Sequence, residues 1–380
     1  VELPRAGVVL VGPNGHGKTS FLEALLYPEV FRSFRGALDR EIVRFGDDGF
    51  HVAVETTEAK TRSEGNREVV GRQRGRRSPA DSARGRVVAA GYDARTREKR
   101  VTVDGAVTAR LADAIGMVRG VVLSPDDVQL VSGGAKERRR YLDLTLSLSA
   151  PGYLESLGEY RRALRHRCRA TPSDMADWEA MLARSGARVA ALRRTWAEAW
   201  ATRYGEHCER LGEAPAGAAA PGRPERRGPQ LCYVSRGTEG EAELAGALAR
   251  SREKDVARQT TSVGPHRDDL RLLLGGREVR VYGSAGQWRT AAMALRLVQA
   301  ETLAARDGGR LPALCLDDAF AELDAGRSAK LGRLVEELAE RGSQVFATVP
   351  REGDIPDAVR RLPRWRMMDG RLEASEGGTA

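Results

Sequence analysis

Lysine is nearly absent from the basic residues: of 62, only Lys18, Lys60, Lys99, Lys136, Lys254 and Lys330 are Lys, which leaves 56 Arg. Cysteine is scarce, with Cys168, Cys208, Cys232 and Cys315 scattered and no C-x-x-C pair. That excludes a disulfide framework or a structural zinc site and fits a reducing cytoplasm. No apolar run approaches the roughly 18–20 residues of a membrane span, which excludes an integral helical membrane protein; no membrane partner is expected. The opening Val1-Glu-Leu-Pro has neither a basic leader nor a cleavage site, so no signal peptide is expected. Aromatics are 5% of the chain.

What is present is a chain of 380 residues, 41% hydrophobic, long enough for two to three domains and a sizeable core. The formal charge of +9 favours anionic partners such as nucleic acid. Biased coding, rich in Arg, Ala and Gly, explains the same charge equally well.

Ala6 to Val11 reads as a buried strand entering a Gly-Pro loop, and Thr19 to Leu26 has helical spacing. Strands are predicted over 48–57, 87–92 and 100–107, the last turning at Asp104-Gly105. Residues 61–86 are rich in Arg and Gly and read as a loop or exposed hairpin. From 136 to 211 the pattern is helical and broken at Pro151 and Pro172. In its last part Trp178, Met181, Leu182, Ser185, Val189, Leu192, Trp196, Trp200, Tyr204 and Leu211 form one apolar face, as in an antiparallel helical hairpin. A Pro/Gly/Ala linker spans 212–229, then a strand (231–234) and a helix (239–256). After Ser262 the α/β pattern returns, with a helix from Ala291 to Leu303 and a final buried strand at Gln344 to Thr348.

Gly12-Pro13-Asn14-Gly15-His16-Gly17-Lys18-Thr19 matches the phosphate-binding loop G-x-x-x-x-G-K-[ST], and it sits between a strand and a helix, where that loop works. Backbone N–H groups from Gly12 to Ser20 would cradle the phosphates of ATP, aided by the helix dipole. Lys18 would reach the β and γ oxygens and the Thr19 hydroxyl would ligate Mg²⁺. His16 holds a variable position and is given no chemistry of its own. About 300 residues on, Leu314-Cys-Leu-Asp317-Asp318 is an apolar strand ending in two carboxylates. Asp317 suits Mg²⁺, and Asp318 could deprotonate the attacking water. A strand followed by acids is common; paired with the loop it marks an ATPase head carrying a long insertion.

Tyr282-Gly-Ser284-Ala-Gly286-Gln287 opens an amphipathic helix, and a Ser hydroxyl with a Gly amide at a helix start forms an anion site. It resembles the signature motif of ABC-type ATPases, which caps the γ-phosphate held by the opposite subunit. Ala319 to Asp324 resembles the D-loop. Thr348 stands where many such ATPases carry a switch His and is placed with the nucleotide-binding residues. Together with Leu123-Ser-Pro-Asp-Asp-Val, the segment Leu130 to Asp143 (LVSGGAKERRRYLD) and Ser262 to Leu270 (SVGPHRDDL), the chain resembles the RecF family over nearly its whole length. RecF proteins are bacterial recombination-repair ATPases related to SMC and Rad50 heads.

The resemblance implies an ABC-type α/β head, a mixed sheet with flanking helices and an antiparallel β subdomain, plus an inserted α-helical arm. The parts expected are 1–125, the arm at 126–258, and 259–380. It implies an ATP-dependent homodimer that clamps double-stranded or gapped DNA in the cytoplasm at the nucleoid, slow hydrolysis that reopens it, and help to RecR and RecO in loading recombinase. The chain departs from the family in three places. It begins eleven residues before Gly12, where such heads carry a further strand and a loop that holds the base, so base contacts and a sheet edge or hairpin are expected to be missing. Ala285 adds bulk beside Ser284. No glutamine occupies a Q-loop position, Gln129 being several residues late.

Arg clusters suit phosphate oxygens. They lie at 62–100 (among them Arg74, Arg76 and Arg77), at Lys136, Arg138, Arg139 and Arg140, and at Arg161, Arg162, Arg165, Arg167 and Arg169. Sparse aromatics favour backbone recognition of duplex over base stacking. Other readings are a nucleotide-gated scaffold with little hydrolysis, another SMC- or Rad50-like head, and a transporter ATPase. The short 130–258 insertion and the helical arm weigh against the last two.

Overall fold

The computed structural model describes residues 1–56, 85–169, 174–213, 228–236 and 240–374. They fall into two compact units, one of residues 1–19 with 120–380 and one of 20–119. The boundaries expected at 126 and 258 lie inside the first unit. The arm region is helical as read, but it belongs to the same unit as the main sheet.

In chain order, β1 (Gly7–Val11) leads to α1 (Lys18–Val30), α2 (Asp39–Ile42), β2 (Gly49–Thr56), β3 (Arg86–Asp93), β4 (Glu98–Val103), β5 (Ala106–Val107) and α3 (Leu111–Ala114). Next come β6 (Gly120–Leu123), α4 (Gln129–Ser132), α5 (Ala135–Ser149), α6 (Tyr153–Arg167) and α7 (Met175–Arg210). After β7 (Gln230–Val234), α8 (Glu241–Arg258), β8 (Asp269–Leu274), β9 (Arg277–Glu278) and α9 (Val279–Tyr282) follow α10 (Ala285–Arg306), β10 (Ala313–Asp317), α11 (Ala325–Glu340), β11 (Val345–Val349), β12 (Arg364–Met368) and β13 (Arg371–Ala374).

The larger unit is built on a six-stranded sheet in the order β13-β12-β1-β11-β10-β6. Its pairings are parallel except β12 with β13. Every residue of β1, β6 and β11 is buried. Continuous apolar runs of this kind are the mark of a parallel strand covered on both faces. Strand β11 is not the last, as expected from the sequence; β12 and β13 follow it as a hairpin. In α10, 14 buried positions run from Thr290 to Ala304, and the helix packs on α5, α7 and β6. Tyr141 donates to Leu295 O at 2.6 Å, and Trp196 Nε1 donates to Thr302 Oγ1 at 3.1 Å. Of the stripe predicted along α7, Leu182, Ser185, Val189, Trp196, Tyr204 and Leu211 are core, while Trp178, Met181, Leu192 and Trp200 are half-buried.

The smaller unit holds the antiparallel sheet β2-β3-β4-β5. Tyr27, Phe31, Val88, Ala90 and Val101 form its core with Ala114 and Val118. At Asp104-Gly105 both residues have positive φ, +51° and +82°, the conformation a two-residue hairpin requires.

Glu301 on α10 accepts from both forks of Arg203, at 2.6 and 2.7 Å, and lies 3.3 Å from His207 Nε2. Burial pushes its carboxyl up, but the bonds from Arg203 and His207 outweigh it and hold the group down from 4.5 to about 2. A folded-state value below the unfolded one stabilises above about pH 4.5, and the gain is lost as the pH falls towards 2. Glu301→Gln is expected to cost on the order of 2–3 kcal/mol at neutral pH, discounted for the partly exposed Arg203. Urea unfolding should show that deficit shrinking to less than half by pH 3; a deficit independent of pH would assign it to packing instead.

Candidate nucleotide-binding site

The phosphate loop follows from β1. Five buried residues deliver the chain to Gly12 at the carboxyl end of the sheet, where α/β folds place their ligands. A Cβ on Gly12 would stand 2.2 Å from Met367 O, so only glycine passes there. Gly15 and Gly17, at φ +83° and +98°, need glycine for their backbone conformation. The loop closes into α1, whose first residue is Lys18. Its buried ammonium donates to Gly12 O at 2.7 Å, to Pro13 O at 3.0 Å and to Asn14 Oδ1 at 3.3 Å. All three N–H bonds are held by the loop, in reach of whatever the loop encloses. Ser20 is exposed on α1.

Strand order brings the acidic pair to the same end. Strand β11 lies between β1 and β10, so Thr348 is in register with both Leu10 and Asp317. Thr19 Oγ1 donates to Asp317 Oδ1 at 2.9 Å across 298 residues. Thr348 Oγ1 donates to that same oxygen at 2.9 Å and accepts the Asp318 N–H at 3.0 Å. Thr348 was expected among the nucleotide contacts. Its hydroxyl fastens the two aspartates, donating to the side chain of one and accepting the backbone N–H of the other. Asp318 adopts φ +47°. Burial pushes its carboxyl up, with Lys18 opposing and Asp317 and Asp354 adding repulsion. Its Oδ1 is buried without a hydrogen-bond partner.

A hydroxyl and a carboxylate oxygen together are hard donors, the set that suits Mg²⁺ when phosphates and water complete the shell. Among the described residues no group of three or more His, Cys, Asp or Glu could hold a metal alone. Thr19 and Asp317 therefore fit a magnesium that arrives with a nucleotide, and the orphaned Asp318 oxygen fits a polar group that comes with it.

Ser284 caps α10. Its N–H donates to Gln287 Oε1 at 2.9 Å and its Oγ accepts the Gln287 N–H at 3.3 Å, a reciprocal capping box. Gln287 Nε2 donates to Glu213 Oε2 at 3.3 Å. The Gln287 side chain is thus engaged within its own chain at both ends of its amide. Ser284 and Ala285 are exposed, and Gly286 approaches the Arg327 guanidinium so closely that a Cβ would stand 2.9 Å from it. Arg289 of α10 donates to Glu322 O at 2.8 Å and also pairs with the Glu322 carboxylate. That contact ties the start of α10 to the Ala319–Asp324 segment. Gln129 is exposed on α4.

The candidate DNA residues divide. Arg74, Arg76 and Arg77 lie outside the described residues. Lys136 and Arg140 are exposed on α5. Arg138 is 3% exposed and forks onto Asp269 at 2.8 and 2.9 Å; Arg139 donates to Asp268 O at 2.7 Å. Arg138 is a correction: its charge faces inward, where a buried guanidinium needs its carboxylate, while Arg139 is half-buried and tied to a backbone carbonyl. Arg167 is likewise buried, between Glu179 at 3.0 Å and Asp255 at 2.9 Å. Arg161, Arg162, Arg165 and Arg169 stay on the surface. The two segments that carried the family resemblance meet in this network. Asp268 also accepts from Tyr233 at 2.5 Å, and His266 lies between Tyr160 OH at 2.5 Å and Thr261 O at 2.8 Å. Burial pushes the His266 imidazole below its ordinary value, against the hydrogen bond to Thr261 O. Gly264 to Asp269 is thus a structural clasp between α5, α6 and β8. The sequence admits a salt-bridged turn at His266 to Asp269, but not its partners, which lie about 130 residues away.

No protein-family model matches the chain. Curated relatives do. DNA replication and repair protein RecF of Roseiflexus castenholzii is 34% identical over 96% of this chain and 93% of that protein. The protein of the same name from Anaeromyxobacter sp. strain K is 37% identical over 91% and 86%. Among solved structures, the recombination mediator protein RecF-ATP in the RecFOR pathway has TM-score 0.80 at 24% identity, over 98% of this chain and 92% of that one. The Smc head domain with an extended coiled coil from Pyrococcus furiosus has TM-score 0.50 at 13% identity, over 98% and 90%. The fold is thus that of these heads, and at such identity over almost the full length of both sequences the chain belongs to the RecF family of DNA replication and repair proteins.

Proposed function

We propose that the chain is an ATP-dependent DNA-binding protein of recombinational repair, whose two heads close on two ATP molecules and clamp duplex or gapped DNA. The observation that carries this reading is a divided site. Lys18, Thr19 and Asp317 converge on one side, while Ser284 and Gly286 present an exposed helix start whose own-chain bonds lead away from the loop. A site completed by a second copy makes nucleotide binding and dimerisation one equilibrium. Thr19 and Asp317 would hold Mg²⁺, whose chemistry when bound is to neutralise charge on the phosphate oxygens. Asp318, its carboxyl raised by burial, takes the proton of the attacking water, and hydrolysis releases the clamp.

The exposed Arg161, Arg162, Arg165 and Arg169, with Lys136 and Arg140, supply phosphate contacts that carry no base preference. The family name and the solved relative in the RecFOR pathway support a place in the cytoplasm at the nucleoid and recruitment of RecR and RecO. A second reading, a nucleotide-gated scaffold with little hydrolysis, is favoured by Ala285, exposed beside Ser284 where the γ-phosphate docks.

The test is the mass in solution by light scattering, with and without ATP, Mg²⁺ and gapped DNA. The unchanged chain is expected to double in mass only with ATP, and Ser284→Arg to remain monomeric. A mass indifferent to ATP in the unchanged chain would reject the clamp.

A further inference from the structure

His16 has no role in the chemistry above, yet it is the most heavily engaged residue of the loop outside Lys18. Its carbonyl accepts the Gly370 N–H at 3.1 Å, and its Nδ1 lies 3.2 Å from both the Asp369 N–H, which donates to it, and the Asp369 Oδ1. Asp369 and Gly370 form the turn between β12 and β13, with φ +48° and +75°. Strand β12 runs beside β1, pairing Val9 with Arg364 and Val11 with Arg366, so the hairpin follows β1 to its end and its turn arrives at the loop. Two further contacts fix that arrival. Met367 O fills the space a Gly12 side chain would need, and Gly370 Cα lies 3.3 Å from where a Gly17 Cβ would stand. The loop is thus buttressed at its first glycine, at His16 and at Gly17 by one C-terminal hairpin.

A phosphate loop works by presenting several N–H groups at fixed positions, and an error of about half an ångström in such a constellation weakens it. We propose that His16 is a positioning residue that fastens the phosphate loop to the Asp369–Gly370 turn, so that the C-terminal hairpin sets the affinity for the nucleotide triphosphate without touching it. The bond needs an acceptor at Nδ1, not merely a ring. This inference rests on the loop binding ATP.

The test measures the ATP dissociation constant by calorimetry on the full chain, with KM and kcat for phosphate release. His16→Leu, which fills the space without an acceptor, is expected to weaken ATP by about 3- to 10-fold, the range of one hydrogen bond, with the loss in KM rather than in kcat. His16→Gln, whose amide oxygen can accept the Asp369 N–H, is expected to restore binding to within about twofold. Amide exchange at Asp369 and Gly370 should slow when ATP is added to the unchanged chain and to His16→Gln, and not in His16→Leu. Wild-type affinity in His16→Leu, or a His16→Gln no better than His16→Leu, overturns the proposal. If Lys18→Met binds ATP as tightly as the unchanged chain, the loop is not the nucleotide site, and the proposed function fails with this inference.

Discussion

Asp318→Asn is expected to lower the rate of phosphate release by 10²- to 10⁴-fold, the usual contribution of a positioned general base, and to leave ATP bound. Asparagine has the same size and tolerates the left-handed backbone that this position adopts at φ +47°. The hydrogen bond from its N–H to Thr348 Oγ1 survives the change. Nothing about Lys18, Thr19 or Asp317 is altered, and one negative charge beside Asp317 is removed, which eases repulsion of the phosphates. What is lost is a carboxylate able to take a proton, and burial had raised that group towards working pH. Binding without turnover should trap the closed dimer. Single-turnover phosphate release and the dimer lifetime after dilution in ATP are the measurements. Lifetimes equal to those of the unchanged chain would remove Asp318 from the base role.

Lys18→Met has the opposite signature. The ammonium is 5% exposed and hydrogen-bonded to Gly12 O, Pro13 O and Asn14 Oδ1. Methionine fills most of its path through the loop and carries no charge. Charge-assisted bonds to two phosphates are worth about 3 kcal/mol together, so ATP affinity is expected to fall by roughly 100-fold or more while the fold is kept. Calorimetric titration with ATP checks the affinity, and an unchanged thermal transition checks the fold. The same variant decides between clamp and scaffold. A DNA-stimulated phosphate-release rate no higher in the unchanged chain than in Lys18→Met would favour the scaffold.

The parts of the site legible in the sequence are those whose chemistry is local. Gly12 to Thr19 announce a phosphate loop because strand, turn and helix adjoin there. Likewise Asp317 and Asp318 end a visibly apolar strand, and Asp104-Gly105 turns as its residue types require. Pairings were not legible. Arg138 and Arg139 read as free cations because Asp268 and Asp269 stand about 130 residues later, and a charge shows its partner only once the helices are packed. Gln287 resembled a nucleotide contact, although its spacing of three from Ser284 is also that of a capping box. Thr348 was legible at its strand end, but its bonds to Asp317 and Asp318 were not, because they depend on which strands lie side by side. The turn at Asp369-Gly370 carried a hairpin signal, Asp-Gly between extended segments, and passed unread because the sheet looked complete at β11.

The order β1-β11-β10 has a consequence for synthesis. Strand β11, which completes the centre of the sheet, spans Val345–Val349 and is inserted between β10 and a strand made at the very start of the chain. At about 5–20 residues per second on the ribosome, the phosphate loop waits on the order of tens of seconds before Thr348 and Asp317 exist to meet it. Through that interval β1 offers five apolar residues and no partner. A nascent chain stalled short of β11 would therefore lack a working ATP site, and would expose an unpaired hydrophobic strand of the kind chaperones bind.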